Sequence, residues 1–154
     1  MPKLDLNAIP QVNRTGYPAP FDAAVQGRWY RRLGGAGGLT HVGASHVVLK
    51  PGAWSSQRHW HVAEDELLVM LSGAAVLVDD AGETLLGPGD CCAFPAGDGN
   101  GHHLQNRTDA DCCFLVVSAG PDRGGAYSDI DMCFDADGTY LHKDGTPYPN
   151  QRVR

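Results

Sequence analysis

Gly52-Ala53-Trp54-Ser55-Ser56-Gln57-Arg58-His59-Trp60-His61-Val62-Ala63-Glu64-Asp65-Glu66, running on through Leu67-Leu68-Val69-Met70-Leu71-Ser72-Gly73, is the stretch whose reading decides the fold. In an extended strand alternate side chains share a face, so His59 and His61 point one way and Trp60 the other. Two imidazoles on one face, one residue apart, are well placed to bind a single metal ion. The acidic cluster Glu64-Asp65-Glu66 opens an apolar run of strand character, which can bring a carboxylate back beside them. Residues 89–106 add a further imidazole at His102. Three imidazoles and one carboxylate suit a borderline divalent transition metal: Mn, Fe, Ni or Zn.

Outward from this stretch, short apolar runs alternate with turn residues. Residues 28–33 form the first expected strand, followed by a flexible Gly-rich loop at 34–38 that no Gly-Lys-Ser/Thr converts into a phosphate loop. The three arginines of 28–32 can grip an anion, although a solvated strand face is the commoner fate of such residues. Strands are expected at 41–50, 54–61, 65–72, 74–79, 83–86, 91–94, 102–107 and 111–118, with Asp80-Ala81-Gly82 as a hairpin turn. This regular series is the signature of an antiparallel sandwich or barrel, and no helix-period segment stands out. The tail offers one more hairpin, 129–134 with 139–142. Asp135-Ala136-Asp137-Gly138 within it reads as a turn, because the Glu a calcium loop needs later is absent.

One domain is expected from 154 residues, parsed as an N-terminal arm and first strand (1–38), a barrel (39–120) and a hairpin tail (121–154). Residues 1–27, punctuated by Pro2, Pro10, Gly16, Pro18 and Pro20, read as an extended arm that needs a surface to lie on. The net charge of −6 argues against nucleic acid or an anionic membrane as partner. No apolar run approaches the ~20 residues that cross a bilayer. Five cysteines without a secretory signal point to reduced thiols in the cytoplasm. They fall as Cys91-Cys92, Cys112-Cys113 and Cys133, spacings that suit buried small hydrophobes and not a zinc site.

The two segments together resemble the paired motifs of the cupin superfamily. The first reads Gly52, His59-Trp60-His61, Glu66, Gly73; the second reads Gly89, Pro95-Ala96-Gly97, His102, Asn106. The chain is one residue longer than the family pattern before His59 and two longer before His102; a bulge and a loop at the barrel mouth accommodate such insertions. The wider pattern is similar to small bacterial single-domain cupins, some of which carry a sugar-phosphate isomerase label. The resemblance implies an all-β, double-stranded jelly-roll barrel with metal ligands His59, His61, Glu66 and His102, and by family analogy a homodimer. Residue reading agrees on the acid: Glu66 immediately precedes the apolar strand, whereas Glu64 falls in the connecting turn. His103 is expected on the opposite face from His102, and His41, His46 and His142 as surface or hydrogen-bonded histidines.

Alternation also sketches a small-molecule pocket lined by Ser55, Gln57, Leu68, Met70, Leu104 and Asn106, with Trp54, Arg58 and Trp60 outside. A metal there can act on a small oxygen-rich metabolite as an isomerase, decarboxylase or dioxygenase. The alternative is a metal-bearing module that binds or senses a ligand without turnover, since one fold hosts both. An enzyme needs a general base, and Asp98, Glu64 and Tyr30 are the candidates.

Overall fold

The computed structural model describes residues 3–149, whose strands form three antiparallel sheets. The first has the order β1 (Arg28–Arg32), β2 (Val42–Leu49), β9 (Cys112–Ala119), β4 (Asp65–Ser72), β7 (Cys91–Phe94). The second is β6 (Gly82–Leu86), β5 (Ala75–Asp79), β8 (His103–Gln105); the third is β12 (Tyr140–Leu141), β11 (Cys133–Phe134), β10 (Gly125–Tyr127), β3 (His59–His61). A single bridge, His59 of β3 to His102 just before β8, joins the third sheet to the second, and a further bridge pairs Trp54, upstream of β3, with Gln105 of β8, so these two sheets make one continuous layer facing the first. The result is the expected all-β jelly roll.

Alternation explains what lies between the layers. Val47 and Leu49 of β2, Leu68 and Met70 of β4 and Phe114 of β9 pack against Leu77, Leu86 and Leu104 from the other layer. Burying every second residue of both sheets supplies most of the folding drive. A second cluster forms where the arm lies on the third sheet: Tyr17 and Val25 pack with Tyr127, Met132, Phe134 and Tyr140. Val12 exchanges both backbone hydrogen bonds with Tyr30 (3.0 and 2.9 Å), extending the β1 edge. The surface the arm needs therefore belongs to its own chain.

Several local expectations change. Of residues 54–61 only His59–His61 is regular strand; Arg58 is drawn outward to Asp80 and to Asp129 (2.6 Å). The Gly-rich loop contains one helical turn, α1 (Leu33–Ala36), where a Cβ on Gly34 would lie 3.1 Å from the β2 backbone at Val42 and Ala44. The tail hairpin is confined to β11 and β12, and β10, unforeseen, pairs with β3. Among the described residues no helix is long and apolar enough to cross a membrane.

Candidate metal centre

Two cross-strand pairs, one from each layer, build the site. β3 places His59 and His61 on one face, their ring centroids 4.9 Å apart. His59 and His102 are direct opposites that exchange backbone hydrogen bonds of 3.2 and 2.9 Å. Directly opposed residues share a face, so the His102 ring lies 5.1 Å from that of His59. The longer loop before His102 does not displace it, because its register is set by His59. From the facing layer, Glu66 at the start of β4 pairs with Phe94. Glu66 Oε2 is 2.9 Å from His102 Nε2 and 3.6 Å from His61 Nε2.

One ligand atom each from His59, His61 and Glu66 lie within 4.8 Å of one another. Atoms bound ~2.1 Å from one ion stand roughly 3–4 Å apart, so a slight closure suffices. His59 Nδ1 donates to the Gln57 carbonyl (3.1 Å), with Ser56 Oγ at 3.2 Å, which leaves the Nε2 lone pair toward the cluster. His61 Nε2 is buried without a hydrogen-bond partner among the described residues. Such an atom is costly unless something completes it, and a divalent cation does so. The donor set fits a metal.

Aromatic rings wall the cluster. Phe94 stacks on His102 at 3.6 Å, and Phe134 meets the His61 ring at 5.5 Å. Gly125 lies opposite both His61 and Phe134; a Cβ there would collide with the Trp60 carbonyl and come 2.6 Å from the Phe134 ring. Burial in this wall pushes His59 down to about 3. For Glu66 burial alone would raise the pKa, but the His102 hydrogen bond and the surrounding imidazoles outweigh it and hold the carboxyl at about 2. Neutral His59 and ionised Glu66 are the states metal ligands require.

Of the candidate bases, Glu64 sits beside the cluster, its Oε2 3.5 Å from His61 Nδ1. It also borders a cleft of about 480 Å³ lined by His41, Gly43 and Ser118 among others. Asp98 is exposed in its loop and accepts from the Asn100 amide (3.0 Å). Tyr30 lies on the inner face of β1, opposite Val47. None of the six expected pocket residues borders that cleft; Leu68, Met70, Leu104 and Asn106 are buried, and Ser55 and Gln57 are half-buried. Leu68, Met70 and Leu104 belong to the core; Ser55 Oγ accepts from Leu104 N (2.8 Å); Gln57 donates to the Phe21 carbonyl (2.9 Å); Asn106 is fully buried. His103 turns away onto Trp54, with its Nδ1 3.0 Å from the Ser56 carbonyl.

Cross-strand register places two of the three arginines of β1 on its inner face. Arg32 opposes Ser45 and Arg28 opposes Leu49, so both guanidinium groups share the inner face with Tyr30, 5.7 and 5.6 Å from its ring centroid. Arg28 is committed to the carbonyls of Ser55 (2.7 Å) and Arg14 (3.2 Å); Arg32 has no ion pair among the described residues. Cys113 Sγ stands 3.0 Å from His46 Nε2 on the opposite, outer face. Burial pushes that thiol up, away from the reactive thiolate.

Two strand layers with imidazoles and a carboxylate at their seam define a cup with a candidate metal centre. The cupin domain description matches residues 45–118. A sugar phosphate isomerase of the cupin superfamily from Silicibacter pomeroyi is 48% identical, with a TM-score of 0.91 over 99% of this chain and 100% of that one. The chain belongs to the cupin superfamily. A polyketide cyclase from Streptomyces resistomycificus shares the fold at 21% identity, with a TM-score of 0.67 over 84% of this chain and 87% of that one. No curated protein matches.

Proposed function

We propose that this chain is a metal-dependent enzyme acting on a small oxygen-rich metabolite, with isomerisation of a sugar phosphate as the best-supported form. The observation that carries the reading is the convergence of imidazoles and Glu66, with Glu64 on His61 at the edge of an open cleft. His59, His61, Glu66 and His102 would hold one divalent metal (Mn, Fe, Ni or Zn), which when bound supplies Lewis acidity to two neighbouring substrate oxygens. Glu64 takes a proton from the hydroxyl-bearing carbon beside the substrate carbonyl and returns it to the carbonyl carbon, while the hydroxyl proton passes to the former carbonyl oxygen. Arg32, free of carboxylate partners among the described residues, takes the phosphate. Phe94 and Phe134 exclude water from the reacting face. The name borne by the 48%-identical Silicibacter protein supports the same substrate class. The 1–38, 39–120 and 121–154 segments act as one unit, in the cytoplasm, as a homodimer.

Deuterium uptake from D₂O into a panel of aldose and ketose phosphates, followed by NMR with manganese-loaded protein, tests the reading. Uptake next to the carbonyl is expected. Glu64→Gln, assayed at manganese concentrations that fill the site in both proteins, should slow it ~10²–10⁴-fold. Arg32→Gln should raise KM about tenfold while kcat is kept, the signature of lost uniform binding. Phosphates that bind without any exchange would overturn the enzyme reading in favour of a binding module.

A further inference from the structure

We propose that Ser118 is the residue that reads the substrate: in the cleft beside Glu64, its hydroxyl bonds the first substrate hydroxyl beyond the two oxygens the metal would hold. The inference rests on the chelated-substrate reading above and adds to it the side chain that selects. Ser118 is placed by register. Phe114 and Val116 of β9 pack into the core, so Ser118, two residues further on, faces inward as well. It lies directly opposite Glu66 on β4 and opposite Gly43 on β2, and Glu66 in turn opposes Phe94 on β7. One inward row across four strands thus reads Gly43, Ser118, Glu66, Phe94, and its last ring is the one stacked on His102. Ser118 stands one strand spacing, ~4.8 Å, from the carboxylate-bearing strand.

Two glycines make room beside this row. A Cβ on Gly43 would lie 2.5 Å from Ser118 Oγ, so only a bare backbone on β2 lets the hydroxyl keep its place. Both residues line the cleft of about 480 Å³ that Glu64 borders. Gly120, at φ +131°, lines it too. A Cβ there would collide with the Ala63 carbonyl, so the turn that carries Glu64 packs directly onto this glycine.

The chemistry of the lining selects the ligand. Ser118, Thr40 and His41 present polar side chains that hydrogen-bond to no described residue. Among the described lining residues there is no lysine or arginine, and the Glu64 carboxylate repels a phosphate. Substrate hydroxyls donate and accept, which a serine hydroxyl, an imidazole and a carboxylate can all match. The cleft therefore takes the hydroxyl-bearing carbons, while the phosphate is left to Arg32, whose partner Ser45 lies one inward position along β2 from Gly43. A site built to bond a substrate hydroxyl discriminates against the analogue that lacks it.

D-Glycerate and D-lactate test this contact. Both chelate a metal through a carboxylate oxygen and the 2-hydroxyl, and they differ only in the 3-hydroxyl. Each is titrated into the full manganese-loaded chain, with binding followed by water-proton relaxation, so turnover plays no part in the readout. Wild-type protein should hold D-glycerate about tenfold more tightly than D-lactate, the worth of one hydrogen bond. In Ser118→Ala the ratio should fall to about one through weaker glycerate binding, with D-lactate affinity and metal content kept. Gly43→Ala retains the serine but drives its hydroxyl aside, and should lower the ratio in the same way. Equal binding of the two acids by wild-type protein, or a tenfold ratio that survives in Ser118→Ala, would overturn the Ser118 contact while leaving the chelated-substrate reading intact. Binding of neither acid would overturn both together. The wild-type ratio decides the matter even should a variant fail to fold.

Discussion

Stripped of metal, the protein is expected to lose stability continuously as pH falls from about 6.5 toward 3. His59 is the main cause. Burial holds its pKa near 3 in the folded chain against 6.5 in an exposed one, so below 6.5 the unfolded chain binds a proton the folded chain refuses. The full span is worth on the order of 5 kcal/mol, comparable to the whole stability of many domains. Glu66 adds to the same direction. Its folded pKa of about 2 contributes stability that is complete above 4.5 and is lost as pH falls through 2. The two contributions overlap, because the imidazoles around Glu66 include His59. Neither group titrates above pH 7, so stability should be level there on their account. Urea midpoints of chelated protein between pH 7.5 and 4 measure the effect. A steady fall is expected, with His59→Asn flattening its upper part. Midpoints unchanged down to pH 4 would contradict the buried neutral imidazole.

Asn106→Ala should destabilise the fold by about 3 kcal/mol, lowering Tm by roughly 10 °C. Asn106 is 0% exposed, and its amide donates to the carbonyls of Leu49 (2.9 Å) and Ala110 (2.7 Å). Its carbonyl accepts from the Thr108 amide (3.0 Å) and hydroxyl (2.8 Å). One side chain thus ties the end of β2 to the turn between β8 and β9. Alanine removes every one of these bonds and leaves the buried Leu49 carbonyl without its amide partner. Calorimetry reads the loss directly, and a shift under about 2 °C would show that the turn is held by other means. The family motif ends on this asparagine, which here ties the end of β2 to the turn after β8.

Strand alternation made the barrel legible from 41 to 118, since half-buried strands write their two faces into every second residue. The His59/His61 pair was visible on the same grounds, and Glu66 was preferred to Glu64 as the cluster carboxylate because it immediately precedes the apolar strand. His102 was visible only through the spacing of the second motif, because its alignment depends on a backbone pairing with a residue 43 positions earlier. That dependence on remote register is what hid the rest. Arg32 shares the inner face with Tyr30 because of its pairing with Ser45, and His46 meets Cys113 across β2 and β9. β10 has three residues, too few to display a period, and forms because Gly125 lets β3 and the Phe134 ring approach. The one-turn helix at Leu33–Ala36 likewise follows from packing against β2 and not from helix propensity, which its glycines oppose.

Everything functional rests on His59, His61, Glu66 and His102 sharing one ion, and metal content by elemental mass spectrometry after reconstitution and desalting tests this most directly. Wild-type protein should retain about one divalent ion per chain, as the single cluster requires. His59→Ala and His61→Ala, with unaltered circular dichroism, should each retain less than about a tenth of that, since even supporting residues of such sites are worth 10–100-fold in affinity. Equal metal content in wild-type protein and both variants would contradict the shared centre, and with it the proposed chemistry.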